Sequence, residues 1–341
     1  MTVRVGVIGV GMIGQDHIRR LKHVIAGVEV VALTDVDPDR AAAVAAQYGV
    51  STVHATGQEV ISDPAVDAVV VCSWGPTHEE YVLASIAAGK PVFCEKPLAE
   101  TPEACERMVA AEVAAGRRLV QVGFMRRFDR AYRALKEVVD AGSIGAPLIM
   151  HCVHRNPTAP GYFRTESSIT DAAVHEFDML RWLLGEEIVA TTVLTPRRNR
   201  YGGDLQDPII LVLELESGAI ADVEISMNIR YGYDIQGTVV GEEGTAALGD
   251  QDAVVVRLAG GTTAPVPADW RERFIRAYDV EFQEWIDALA GPRGPTGPST
   301  WDGYAAAVVA NTTLEAFRTG TKTSVKLADM PDLYVRKEGT S

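Results

Sequence analysis

Positive charge is scarce in this chain. Thirty-two lysines and arginines face 46 aspartates and glutamates, for a formal net charge of −14. That deficit argues against nucleic acid and anionic membranes as partners, since both select a positive patch. Long apolar runs are missing too. None reaches the roughly 18 residues that a membrane-spanning helix needs. The start of the chain lacks a signal-peptide pattern and reads directly as the strand Val3–Ile8. Cysteine is sparse: Cys72, Cys94, Cys105 and Cys152, with no Cys-x-x-Cys pair. Reduced, mostly buried thiols in a cytoplasmic protein are therefore expected. No internal repeat is present. The triplet-like stretch Gly291–Ser299 is too short for a triple helix and is expected to be a surface loop.

What is there is ample material for two cores: 341 residues, 47% of them hydrophobic and 23% charged. Strand patterns at Val3–Ile8, Val28–Thr34, Ala68–Cys72, Pro91–Cys94 and Leu119–Val122 alternate with helix patterns at Met12–Ile25, Pro38–Tyr48, Thr77–Ala88 and Pro102–Ala115. Strands that are apolar on both faces, separated by helices, predict a parallel sheet covered on both sides. The pattern then changes. Leu148–Val153, Ile188–Leu194, Ile209–Leu215, Ala219–Ile229, Ile235–Val240 and Ala253–Leu258 read as strands, with a hairpin turn at Glu216-Ser217-Gly218. Helices are expected at Ile169–Leu184, Trp270–Leu289 and Tyr304–Phe317. The prediction is an α/β chain. Its first domain, 1–123, is a Rossmann dinucleotide-binding unit. Its second, 124–341, is an α+β domain with a large, mostly antiparallel open sheet, and a late helix is free to pack back on the first domain.

Gly9-Val-Gly11-Met-Ile-Gly14 follows the first strand and opens the first helix. Glycines there allow a tight turn and close backbone approach to a pyrophosphate, which meets the positive end of the helix. Met12 and Ile13 lie between the glycines and are expected to border the cofactor. Asp35 ends the second strand, where a carboxylate accepts ribose hydroxyls and repels a 2′-phosphate. This predicts NAD. Asp37 precedes Pro38 and more naturally caps the next helix, while Arg40 is in reach of a phosphate. Ser73 and Trp74 end another strand and should lie along the cofactor; packing is the alternative for Trp74. His78 is expected in the first turn of the following helix rather than in the chemistry.

Glu95-Lys96-Pro97 also sits past a strand end. An ammonium at Lys96 can stabilise an oxygen as its proton leaves; the alternative is a surface lysine paired with Glu95. Asp171 and His175 are four apart in a helix pattern, hence on one face, the arrangement of an oriented general base. The alternative is an N-cap carboxylate beside an ordinary helix histidine, and Asp178 competes as the imidazole's partner. His151, Cys152 and His154 invite a metal reading, but neighbours in a strand point to opposite faces and no carboxylate cluster accompanies them, so no metal is expected. His154 is read as a substrate contact. Arg126 and Arg127 are either a solvated basic turn or contacts to cofactor or substrate.

Taken in order, several segments resemble the glucose–fructose oxidoreductase and inositol dehydrogenase family over nearly the whole chain. They are Ser73-Trp-Gly-Pro, Phe93-Cys-Glu-Lys-Pro-Leu98, Val120-Gln-Val-Gly-Phe-Met-Arg-Arg127, His154-Arg-Asn-Pro-Thr158, Val174-His-Glu-Phe-Asp178, Tyr231-Gly-Tyr-Asp-Ile-Gln236 and Ala277-Tyr-Asp-Val-Glu281. The His-Arg-Asn-Pro and Tyr-Gly-Tyr-Asp segments resemble its inositol-oxidising members in particular. The resemblance implies Lys96, Asp171 and His175 as the catalytic group. It implies Arg127, His154, Asn156, Asp178 and Tyr233 as substrate contacts, and Gly9, Gly11, Met12, Ile13, Gly14, Asp35, Ser73, Trp74, Glu95 and Lys96 around NAD. The implied reaction is oxidation of a cyclic polyol, myo-inositol at C2, by a cytoplasmic homotetramer. Ala172 stands where some inositol enzymes carry a hydroxyl, which leaves isomer preference open. Relatives that eliminate a glycosidic substituent, or that serve as non-catalytic sensors, define the competing functions.

Overall fold

The computed structural model describes residues 2–249, 256–291 and 294–335. Contacts divide the chain into two compact units. The first comprises the chain up to Phe124, Tyr278–Ala307 and the chain from Leu327; the second comprises Met125–Ala277 and Val308–Lys326. These units are discontinuous, unlike the bounds 1–123 and 124–341 read from the sequence.

The first unit runs β1 (Val3–Ile8), α1 (Met12–His23), β2 (Val28–Thr34), α2 (Pro38–Tyr48), β3 (Thr52–Val53), α3 (Gly57–Ser62), β4 (Ala68–Val71), α4 (His78–Ala87), β5 (Val92–Cys94), α5 (Pro102–Ala115) and β6 (Val120–Val122). Its six strands are all parallel, in the order β3-β2-β1-β4-β5-β6. Val5, Val7, Val69, Val70 and Phe93 are fully buried, as a sheet covered on both faces requires. β1 lies between β2 and β4, so the strand order reverses beside it. Ligands collect at the carboxyl ends of strands at such a point. Asp37 does cap α2, accepting from the Asp39 and Arg40 amides, with Pro38 in the first turn.

The second unit contains α6 (Arg130–Asp140), β7 (Pro147–Arg155), α7 (Val174–Leu184), β8 (Ile188–Leu194), β9 (Ile209–Leu215), β10 (Ile220–Ser226), β11 (Asp234–Gly241), β12 (Thr245–Ala247) and the ribbon β13 (Val256–Leu258) and β14 (Gly261–Thr263). α8 (Trp270–Leu289) and α9 (Thr300–Thr319) divide between the units, and β15 (Thr323–Ser324) closes the second. The sheet order is β12-β11-β7-β10-β9-β8-β15, antiparallel except for the parallel pair β7 and β10. Burial alternates with period two. Leu211, Leu213 and Leu215 point inward while Ile210, Val212 and Glu214 are half-buried on the other face. The hairpin between β9 and β10 turns at Gly218, whose φ of +89° lies in the left-handed region.

The helix expected as one piece over Ile169–Leu184 is two. Ser168–Ala172 is a π turn, in which the Ala173 amide reaches back five residues to Ser168 at 3.1 Å, and α7 begins at Val174. Asp171 thus lies in the π turn and His175 in the first turn of α7, rather than both in one regular helix. Helix α6 has no counterpart in the sequence reading. Of the strand expected over Ala253–Leu258, residues 253–255 lie outside the described residues, as do 292 and 293 of the expected loop. Among the described residues no helix is long and apolar enough to cross a membrane.

Candidate active site

The glycine turn after β1 assigns each glycine a different task. Gly9 has a φ of +90°, and a Cβ there would lie 2.6 Å from the Ser73 nitrogen. A Cβ on Gly14 would lie 2.1 Å from the Gly9 carbonyl oxygen, so α1 packs directly on the turn. Gly11 has nothing within 4 Å of its missing Cβ. It is also the N-cap of α1 and offers no side-chain cap, so the first-turn amides remain for a ligand. A cavity of about 470 Å³ opens here, lined by Gly9, Gly11, Asp35, Ser73 and Trp74 and also by Arg40, Thr56, Gln58 and Tyr81. Trp74 is 78% exposed rather than packed in the core of its unit; Met12 is 63% exposed and its neighbour Ile13 half-buried.

The Asp35 side chain is almost fully buried. One oxygen accepts from the Val10 amide at 2.7 Å; the other accepts from the Asp37 amide at 2.9 Å and the Arg40 guanidinium at 2.5 Å. Burial alone would raise its pKa, but Arg40 and the two amides hold it below the usual carboxylate range. The glycine cradle, the free helix end and this fixed carboxylate together fit a dinucleotide.

Past β5, Glu95 is buried and Lys96 half-buried, so Lys96 is not a surface lysine. Glu95 points inward, with one oxygen 2.6 Å from the His17 imidazole and the other accepting from the Lys96 amide at 3.1 Å. His78 heads α4 as expected, but it is buried. Its Nδ1 lies 2.8 Å from the Pro97 carbonyl oxygen and its Nε2 lies 3.0 Å from that of Ser73. A neutral ring carries one N–H, so it donates to one of these carbonyls and packs against the other, between the Ser73 loop and the Lys96 segment. Burial pushes this imidazole below its ordinary range.

In the second unit, the sheet and α7 bring together a buried polar cluster. Asp171 is half-buried in the π turn, and His175 is the second residue of α7, only 7% exposed. A π turn at such a place is a frequent mark of function. His154, inward on β7, has its Nδ1 3.0 Å from Glu176, which also pairs with Arg126. Burial would raise the Glu176 carboxyl, but Arg126 and then His154 bring it down to about 2. The Tyr233 ring stands edge-on to His154 at 5.9 Å, and burial pushes its phenol up to about 12, so it remains a neutral hydroxyl. Asn156 is half-buried, its backbone N–H donating to the Ser226 carbonyl oxygen at 2.7 Å and its side-chain Nδ2 lying 3.4 Å from the Met227 sulfur. Asp178 is fully buried and held by the fork of Arg127. Neither arginine is a solvated turn residue. Glu176, central to the cluster, was missed in the sequence, because no local signal separates a buried carboxylate from an exposed one.

His151 and Cys152 do point to opposite faces. His151 is exposed beside Asp222 at 2.5 Å, and Cys152 is buried. Among the described residues no group of three metal-ligating side chains occurs.

A doubly wound sheet with this turn, acidic strand end and lysine loop defines a dinucleotide-dependent oxidoreductase. Residues 3–124 match the oxidoreductase family described by its NAD-binding Rossmann fold, and residues 136–327 match the same family's C-terminal alpha/beta domain. The chain belongs to this family, that of glucose–fructose oxidoreductase and inositol dehydrogenase. It is 56% identical to inositol 2-dehydrogenase 3 of Saccharopolyspora erythraea, covering 98% of both chains. It is 52% identical to inositol 2-dehydrogenase of Ralstonia nicotianae, over 98% of this chain and 99% of that one. Among solved structures, myo-inositol dehydrogenase from Lactobacillus casei in complex with NAD(H) and myo-inositol superposes with a TM-score of 0.95 at 37% identity, covering 98% of this chain and 100% of that one. Scyllo-inositol dehydrogenase from Lactobacillus casei, with NAD(H) and scyllo-inositol, gives 0.87 at 25% identity, covering 95% and 99%.

Proposed function

We propose that this chain oxidises myo-inositol at its C2 hydroxyl to the 2-ketone with NAD, in inositol catabolism in the cytoplasm. The observation that carries the reading is identity of 56% and 52% over nearly the whole chain to two inositol 2-dehydrogenases, joined by a TM-score of 0.95 to a dehydrogenase solved with NAD(H) and myo-inositol. The four cysteines are buried free thiols, which suits a reducing compartment.

His175 removes the hydroxyl proton, Asp171 orients its ring, and Lys96 stabilises the developing alkoxide. NAD, when bound, accepts the carbinol hydride. Gly9, Gly11, Met12, Ile13, Gly14, Asp35, Ser73 and Trp74 hold the dinucleotide, with Glu95 behind Lys96. His154, Asn156, Tyr233, Arg127 and Asp178 form the polyol site. The His154 Nδ1 lies 3.0 Å from the Glu176 carboxylate and 3.3 Å from the Arg126 guanidinium; with the proton on Nδ1 toward the closer, ionised Glu176, Nε2 is an acceptor for a ring hydroxyl. A site built to pair many hydroxyls rejects ligands that lack them. Simple alcohols are therefore expected to be poor substrates. The test compares kcat/KM for myo-inositol, scyllo-inositol, D-chiro-inositol and glucose at the NADH absorbance band. Preference for scyllo-inositol or glucose would overturn the myo assignment and point to the position of Ala172. Absence of any NADH signal would favour an elimination enzyme or a sensor.

NAD is expected to be preferred over NADP, because the Asp35 charge opposes a 2′-phosphate. In Asp35→Ser the preference should narrow, since Arg40 loses its carboxylate partner and is available to a phosphate. Equal kcat/KM for the two cofactors in the parent protein would remove Asp35 from that role.

The chain assembles as a homo-oligomer, a tetramer in this reading. Its support is the outer sheet face, where exposed Ile149 and Ile220 and half-buried Val212 and Val153 share the surface with the pairs His151–Asp222 and Arg155–Glu224. Light scattering at micromolar concentration should give a multiple of the chain mass; a monomer mass would count against it.

A further inference from the structure

His17 is absorbed by none of the roles above, yet it is fully buried on α1. Its ring is enclosed by Phe93, Tyr278 and Phe282, the last with ring centres 4.6 Å away. Nε2 lies 2.6 Å from a Glu95 oxygen, and Nδ1 lies 2.7 Å from an Arg20 guanidinium nitrogen. A guanidinium can only donate. Nδ1 is therefore the unprotonated nitrogen, and Nε2 carries the proton and donates it to Glu95. Arg20 is itself fixed. It is fully buried, donating to Asp16 at 2.8 Å and to Asp279 at 2.7 Å. The remaining ionisable neighbours are the Tyr278 phenol and the Cys72 and Cys94 thiols, the latter two pushed well above their ordinary range by burial.

The other end of this chain of bonds is Lys96. The second Glu95 oxygen accepts the Lys96 amide at 3.1 Å. Space for the carboxyl exists because residue 123 is glycine; a Cβ there would come within 3.2 Å of it. Two donors, an imidazole and an amide, thus converge on the two oxygens of one buried carboxylate. Burial would raise the Glu95 pKa, and His17 holds it down. Burial pushes His17 itself below its ordinary range, so the ring stays neutral and its tautomer is set by Arg20.

We infer that His17 is a positioning residue for Lys96, acting through Glu95. The role rests on the reading of Lys96 as the group that stabilises the alkoxide. Fixing the carboxylate fixes both the start of the Lys96 segment and a negative charge beside the ammonium. Loss of the His17 donor lets the carboxylate turn away and the lysine drift, and a misplacement of about 1 Å costs on the order of 10²-fold in rate.

The experiment measures two quantities on the full-length protein with NAD. One is kcat with myo-inositol; the other, independent of turnover, is hydrogen exchange in the peptide containing the Lys96 amide. His17→Leu should lower kcat by roughly 10²-fold with little change in KM for NAD, and should speed exchange at Lys96. His17→Gln, which presents an N–H toward Glu95, should recover most of both. Glu95→Gln serves if His17→Leu does not fold. Its amide has one oxygen for two donors, so it should also speed exchange and lower kcat. Lys96→Ala calibrates the underlying reading: if it turns over like the parent, the role given to Lys96 fails while the exchange result still tests the link to His17. Parental exchange and kcat in His17→Leu, or in Glu95→Gln, would overturn the inference. So would faster exchange with unchanged kcat when Lys96→Ala is inactive.

Discussion

His175→Ala is expected to lower kcat by about 10²–10⁴-fold while NAD binding stays near the parental value. The imidazole sits at the second residue of α7 and is 7% exposed. Removing it deletes the proposed proton acceptor and leaves the Rossmann unit, with Gly9, Gly11, Gly14 and Asp35, untouched. An interaction made only in the transition state lowers kcat and kcat/KM alike. Asp171→Asn should act in the same direction and less severely, because it perturbs the ring's orientation rather than removing the base. Initial rates at saturating myo-inositol, with NAD affinity from fluorescence titration, separate the two effects. Near-parental turnover in either variant would take that residue out of the mechanism.

The second large effect is on stability. Glu176→Gln should destabilise the protein by about 3–5 kcal/mol at neutral pH, because it leaves the buried Arg126 guanidinium without its anion. Both residues are at most 1% exposed, so solvent offers Arg126 little compensation. The effect depends on pH with a defined sign. The Glu176 carboxyl is held down to about 2 in the folded state from an ordinary value of 4.5. Its contribution is therefore fully present above the unfolded value and lost as pH falls from about 4.5 toward 2. Thermal melts of parent and variant should differ widely at pH 7 and converge toward pH 2.5. Equal melting temperatures at pH 7 would show that the pair contributes nothing. Since Glu176 also orients His154, the variant should bind inositol less well at temperatures where it is folded.

Local patterns in the sequence carried the strand–helix alternation of the first unit, the glycine turn and Asp35. They also carried the Asp37 cap, the Gly218 hairpin and the alternating strands β9 and β10. Each of these is a statement about neighbours within a few residues, where backbone sterics and periodicity act directly. The parallel pairing of β7 with β10 was hidden, because registry between segments some 70 residues apart is chosen by packing. The π turn was hidden as well. Its apolar spacing reads as a plain helix, and the five-residue hydrogen bond from Ala173 to Ser168 answers to tertiary contacts rather than to propensity. Most of the site's electrostatics belongs to the same class. Arg126 with Glu176, Arg127 with Asp178 and His17 with Glu95 join residues between 50 and 78 positions apart. By itself the sequence determined which residue types were present and where the cofactor turn fell. Only the tertiary structure decided which charges were buried together, because burial makes a lone charge costly and so dictates its partner.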